Sequence, residues 1–130
     1  KYGISKRSHS ELDVASLTPE QATSIYATEY WDASGCDSIP FPFNVAVFDT
    51  AVNCGVDRAT TWMKQAVDVN NYLMLRKQFY YDQVNKIPTR IKYLKGWLSR
   101  VADLQKFVDI QVQAAQQQER LDVPRWGSLG

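Results

Sequence analysis

Apolar residues along this chain recur mostly at helical spacing. Thr18-Pro19-Glu20-Gln21 predicts a helix start. Thr18 can cap, Pro19 suits the first helical position, and Gln21 completes a capping box. Ala22, Ile25, Tyr26 and Tyr30 follow on one face, and the element should end near Trp31, before Asp32-Ala33-Ser34-Gly35. A second helix is expected after Pro40 and Pro42, with Val45, Val47, Phe48, Ala51 and Val52, closing at Asn53-Cys54-Gly55. It is apolar almost all round, which predicts the central, buried helix. Asp57 is placed to cap a third helix carrying Ala59, Trp62, Met63 and Ala66. Past Asn70-Asn71, the positions Leu73, Arg76, Phe79, Tyr80 and Val84 mark a fourth. Ile87-Pro88-Thr89 interrupts it, because proline disfavours helix at the preceding residue. A fifth helix is expected from about Arg90 to Gln118. Its stripe is Leu94, Trp97, Leu98, Val101, Leu104, Val108, Val112 and Ala115, and Gly96 can weaken it locally. Residues 119–130 are expected to form a tail. The fold class is mainly α, with room for a small β-hairpin around Tyr2-Gly3-Ile4-Ser5.

Composition narrows the class. The chain has 130 residues, 45% of them hydrophobic and 22% charged, enough for one folded domain without disulfides or metal. No run approaches the ~18 apolar residues of a membrane span. The first ten residues hold no apolar core of a signal peptide. The chain opens on Lys1 rather than Met, so a segment ahead of it is expected to have been removed or left out.

Net charge is +1, but residues 76–106 concentrate eight basic residues against Asp82 and Asp103. This suits either the solvated faces of two helices or an anionic partner. No nucleic-acid-binding motif accompanies it, so no nucleic-acid partner is expected.

Candidate chemistry is sparse. The single histidine, His9, has no triad context, and neither a phosphate loop nor a nucleophile elbow is present. Cys36 and Cys54 fit no zinc pattern, and no metal or cofactor is expected. Cys54 reads as a small core residue, with a Cys36–Cys54 bridge left open. Carboxylates remain, since glycoside hydrolysis needs a protonated acid on the leaving oxygen. Of Glu11, Asp13, Glu20, Glu29, Asp32 and Asp49, Glu20 belongs to a helix's first turn, where its charge suits the dipole. Asp49 stands out: on a buried helix, an ionisable group must be paired, hydrogen-bonded or functional.

Several segments, in order, carry a resemblance. They are Tyr2-Gly3-Ile4-Ser5, Leu17-Thr18-Pro19-Glu20-Gln21-Ala22, Ile25-Tyr26, Tyr30-Trp31-Asp32 and Val47-Phe48-Asp49-Thr50-Ala51-Val52-Asn53-Cys54-Gly55. Together they resemble the lysozyme-like muramidases of glycoside hydrolase family 108, found in phage endolysins and bacterial cell-wall enzymes. Arg76, Phe79-Tyr80 and Lys95-Gly96-Trp97-Leu98-Ser99-Arg100-Val101 are similar to the predicted peptidoglycan-binding region that follows the catalytic region in that family.

The resemblance implies a lysozyme-like region over residues 1–70 and a helical, wall-binding part over 71–118 of the same domain. It implies action on the bacterial cell wall, in the periplasm or outside, with peptidoglycan as partner; the oligomeric state is left open, a monomer being favoured. The family's catalytic Glu belongs to a Glu-Gly-Gly segment upstream of Tyr-Gly-Ile. No catalytic residue is therefore assigned within 1–130, and that stretch alone is expected to be inactive. Tyr2, Ser5 and Asn53 are the implied substrate-binding residues, with Asp49, Tyr30 and Trp31 further candidates. For Asn53 a helix C-cap competes, and for Tyr30 and Trp31 core packing competes. The other functional reading is a lysozyme-like scaffold that grips cell wall or protein without catalysis.

Overall fold

The computed structural model describes residues 14–122. They form helices and turns, and no strand occurs among the described residues. The hairpin expected near Tyr2 to Ser5, and Tyr2 and Ser5 themselves, lie outside the described residues.

The first helix, α1, runs Pro19–Tyr26 and begins as the local chemistry demands. Thr18 Oγ1 accepts from the Gln21 amide at 3.2 Å, and Gln21 Oε1 accepts from the Thr18 amide at 2.9 Å. The helical path then widens into a π turn over Ala27–Asp32 and stops beside the predicted end at Trp31. Gly35, at φ 69°, turns the chain into a short 3₁₀ segment at Cys36–Ser38.

Helix α2, Phe43–Cys54, is the hub. Ala46, Val47, Thr50, Ala51 and Cys54 are all buried, as an all-round apolar helix requires. It packs against α3 (Val56–Gln65), α4 (Val69–Lys86) and α5 (Ile91–Asp122). One continuous core joins Cys36 and Ile39 through α2 to Tyr72, Leu73, Tyr80, Val101 and Leu104. A smaller cluster of Leu17 and Ala22, with Ile25 and Tyr26, seats α1.

Gly55 joins α2 to α3 by itself. Its φ of 96° and ψ of 152° form a conformation that side chains tolerate poorly. Its amide donates to the Ala51 carbonyl at 3.0 Å, and its carbonyl accepts from the Ala59 amide at 3.1 Å. One residue thus closes one helix and opens the next.

Several details differ from the pattern-based expectation. Asp57 lies inside the first turn of α3 and makes no capping bond; Gly55 holds the cap position. Helix α4 starts before Asn70, because Asp68 accepts from the Asn71 amide at 2.7 Å. Helix α5 continues to Asp122, four residues past the expected tail boundary, and Gly96 does not break it. Val112 and Ala115 extend the apolar stripe but are exposed, because the stripe outruns its partner helix. Both cysteines are free and buried. Burial, with Asp37 and Asp32 nearby, pushes the Cys36 thiol up to about 11, which leaves an unreactive core residue. No described helix is long and apolar enough to cross a membrane.

Candidate functional site

The polar centre of the molecule is built around Arg76. Its side chain is 0% exposed, in keeping with its place on the Leu73, Phe79 and Tyr80 face rather than with the solvated faces considered for the basic stretch. Nη1 donates to Asp49 Oδ2 at 2.7 Å and to Thr50 Oγ1 at 3.2 Å. Nε donates to the Tyr80 hydroxyl at 3.0 Å. That oxygen lies 3.3 Å from Cys54 Sγ. Arg100, from α5, holds the other Asp49 oxygen at 2.7 Å. Asp49 therefore ties α4 and α5 to α2. Burial pulls the Arg76 pKa down, but the Asp49 bond and Tyr80 more than offset it, and the net direction is up. Tyr80 is pushed up to about 12 by burial and by its Cys54 contact, against the opposing pull of Arg76.

A groove of about 260 Å³ opens on one side of this centre. Asn53 and Cys54 reach it from the end of α2, Arg58 from α3, and Phe79, Tyr80 and Gln83 from α4. Arg90, Tyr93 and Trp97 complete it across the α4–α5 turn. The Tyr80 and Trp97 rings stack at 4.9 Å, and Tyr93 meets Trp97 at 5.7 Å. The Arg58 guanidinium lies 4.6 Å above the Phe79 ring and donates to the Cys54 carbonyl. Arg90 donates to Gln83. Such a mix of aromatic faces, amides and fixed cations suits a ligand with flat apolar and polar faces. No carboxylate lines it among the described residues.

A second hollow, about 400 Å³, lies beside Asp49 and Arg100, between Thr23 and Tyr26 of α1 and Phe48 and Val52 of α2. No group of three or more His, Cys, Asp or Glu side chains among the described residues could hold a metal ion.

The family model of Glycosyl hydrolase 108 matches residues 1–55. Over that span, less than half of its length, the chain is similar to this family. No curated protein and no solved structure matches the chain. The matched segment ends at the Cys54-Gly55 joint, so the groove combines its last residues with helices beyond it.

Within that segment the candidate residues separate. Asn53 lines the groove. It sits inside the last helical turn, where Nδ2 donates to the Asp49 carbonyl at 2.7 Å, and Gly55 rather than Asn53 takes the cap position. Asp49, one turn earlier, faces the second hollow and is held by two arginines. Tyr30 and Trp31 pack against the core instead of lining either space. Trp31 Nε1 donates to Asp37 at 2.8 Å, and its ring meets Phe48 edge-on at 5.6 Å. Sequence reasoning did not select Arg58, Gln83, Arg90 or Tyr93. One signal was available: Arg90, Tyr93 and Trp97 fall at i, i+3 and i+7, on one helical face.

Proposed function

We propose that this chain is part of a peptidoglycan N-acetylmuramidase of the endolysin type, cleaving the glycosidic bond between N-acetylmuramic acid and N-acetylglucosamine in the bacterial cell wall. The match of residues 1–55 to glycosyl hydrolase 108 carries the reading. The aromatic and amide-lined groove next to Asn53 supports it, because sugars present an apolar ring face and hydroxyls to bond.

The chemistry requires a carboxylic acid that protonates the leaving oxygen. Asp49 is poorly placed for it, since both oxygens already accept from guanidinium groups. Glu20 and Glu29 are exposed on α1 and the π turn and line neither space. The proposal therefore gives the acid to the Glu of the upstream Glu-Gly-Gly segment that the family resemblance implies. An apolar setting would keep it protonated. Asn53 would grip the glycan, with Tyr2 and Ser5 contributing from the start of the chain.

The test is hydrolysis of purified peptidoglycan by the full-length protein, followed by turbidity and by new reducing ends on muramic acid. Wild type should release them, and changing that Glu to Gln should abolish release. Residues 1–130 alone should release none. Full activity of the Gln variant, or of residues 1–130, would overturn the assignment of the acid. New ends on glucosamine, or cleavage only of peptide bonds, would overturn the muramidase reading.

A further inference from the structure

We infer that the groove between the end of α2 and the α4–α5 turn is a subsite for a carboxylate on the peptide substituent of the glycan, read by Arg58 and Arg90. This deepens the muramidase reading and rests on it.

Both ion pairs found among the described residues end on Asp49, so neither Arg58 nor Arg90 has a carboxylate partner there. Each guanidinium is nevertheless held in place. Arg58 is anchored over Phe79 and to the Cys54 carbonyl, and Arg90 is bonded to Gln83. Two positioned guanidiniums at one groove, with no acid in its lining, create a fixed positive field. A planar guanidinium matches a carboxylate through two parallel hydrogen bonds, which an ammonium cannot reproduce. Lys92, outside the lining, holds its ammonium 5.2 Å from the ring centre of Tyr93, which does line the groove, and carries charge of the same sign.

The aromatic side supplies the other half. Trp97 is backed by the stacked Tyr80 ring, so its orientation is fixed from the core. A neutral oligosaccharide would use that face and the Asn53 amide but leave the two cations unanswered. A peptidoglycan fragment offers both a sugar ring and peptide carboxylates. The groove is therefore more complementary to the substituted, anionic glycan than to a bare one.

The experiment compares three probes by calorimetric titration of the full-length protein: a disaccharide-tetrapeptide muropeptide, the same molecule with its carboxyls amidated, and chitotetraose. Wild type should bind the carboxylate form roughly tenfold or more tightly than the amidated form, the scale of one charge-assisted bond. The preference should shrink with added salt. The R58Q/R90Q double variant should lose the preference for the carboxylate form over the amidated form, and R58K/R90K should keep part of it. Unchanged circular dichroism would show that both variants fold. Equal binding of the carboxylate and amidated forms by wild type, or a preference that survives R58Q/R90Q, would overturn the carboxylate subsite while leaving the glycan reading in place. Failure of all three probes to bind would overturn the subsite, and the reducing-end assay on peptidoglycan would then decide the muramidase reading separately.

Discussion

Helices α2 and α5 sit at opposite extremes of the same molecule. The first has 12 residues, five of them buried, and touches every other long helix of the core. The second has 32 residues, of which Val101, Leu104 and Val108 are buried. Beyond Val108, α5 runs past the end of the shorter α4, and Ile110, Val112 and Leu121 face solvent. Regular helix is therefore no guide to where stability resides. The burial of a face decides it, because propensity alone sustains helices only marginally.

The sharpest way to break this contrast is at the centre of α2. Asp49→Ala would strand Arg76, whose side chain is fully buried, without its carboxylate. The expected loss is about 3 kcal/mol or more by thermal or urea unfolding. Arg100 is 54% exposed, so Arg100→Ala should cost no more than about 1 kcal/mol. Similar losses from both variants would mean that Asp49 is a surface pair after all.

The next largest effect compares one substitution at two places on α5. Leu104 is 8% exposed and Leu121 is 78% exposed. Leu104→Ala should cost roughly 2–5 kcal/mol, and Leu121→Ala should fall within about 0.5 kcal/mol of wild type. A large loss at Leu121 would show that the distal half is covered in solution.

Alkali should sharpen the same contrast at the core. Cys36 rises from 9.0 to about 11 and Tyr80 from 10.0 to about 12, both chiefly through burial. Burial moves the Tyr72 hydroxyl in the same direction. The folded chain then holds more protons than the unfolded chain across this window. Stability is complete below pH 9 and declines as pH rises toward 12. The melting temperature should fall over that range, and Cys36→Ser should blunt the early part of the fall. A flat profile would contradict the burial of these groups.

The smallest effect is a gain. Gly96 lies on the exposed side of α5, and an added Cβ meets nothing within 4 Å. Gly96→Ala should raise stability by about 0.5–1 kcal/mol in a melt.

What the sequence made legible was mostly local. The α1 capping box needs only Thr18 and Gln21, three positions apart, and the break at Ile87-Pro88 needs only its own backbone. The burial of α2 followed from its composition, and with it the expectation that Asp49 must find a partner. The partner itself was hidden. Arg76 lies 27 positions away; its place on the Leu73, Phe79 and Tyr80 face pointed it inward, but nothing in the spacing paired it with Asp49. Asn53 was legible as a candidate, but the groove around it was not. Its walls come from α3, α4 and α5 and meet only after the helices pack. The α5 stripe misled for a related reason: periodicity records an apolar face, not whether a second helix is long enough to cover it.

The joint at Gly55 has a consequence for how this chain can change in length. It fixes the rotational phase of α3 against α2, and so the separation of Asn53 from Arg58 across the groove. One residue inserted between Cys54 and Val56 would turn α3 by ~100° about its axis. Arg58 would leave the rim, and Ala59, fully buried against the core, would turn out of it. Natural or engineered insertions should therefore be tolerated on the overhanging end of α5 and selected against at this joint.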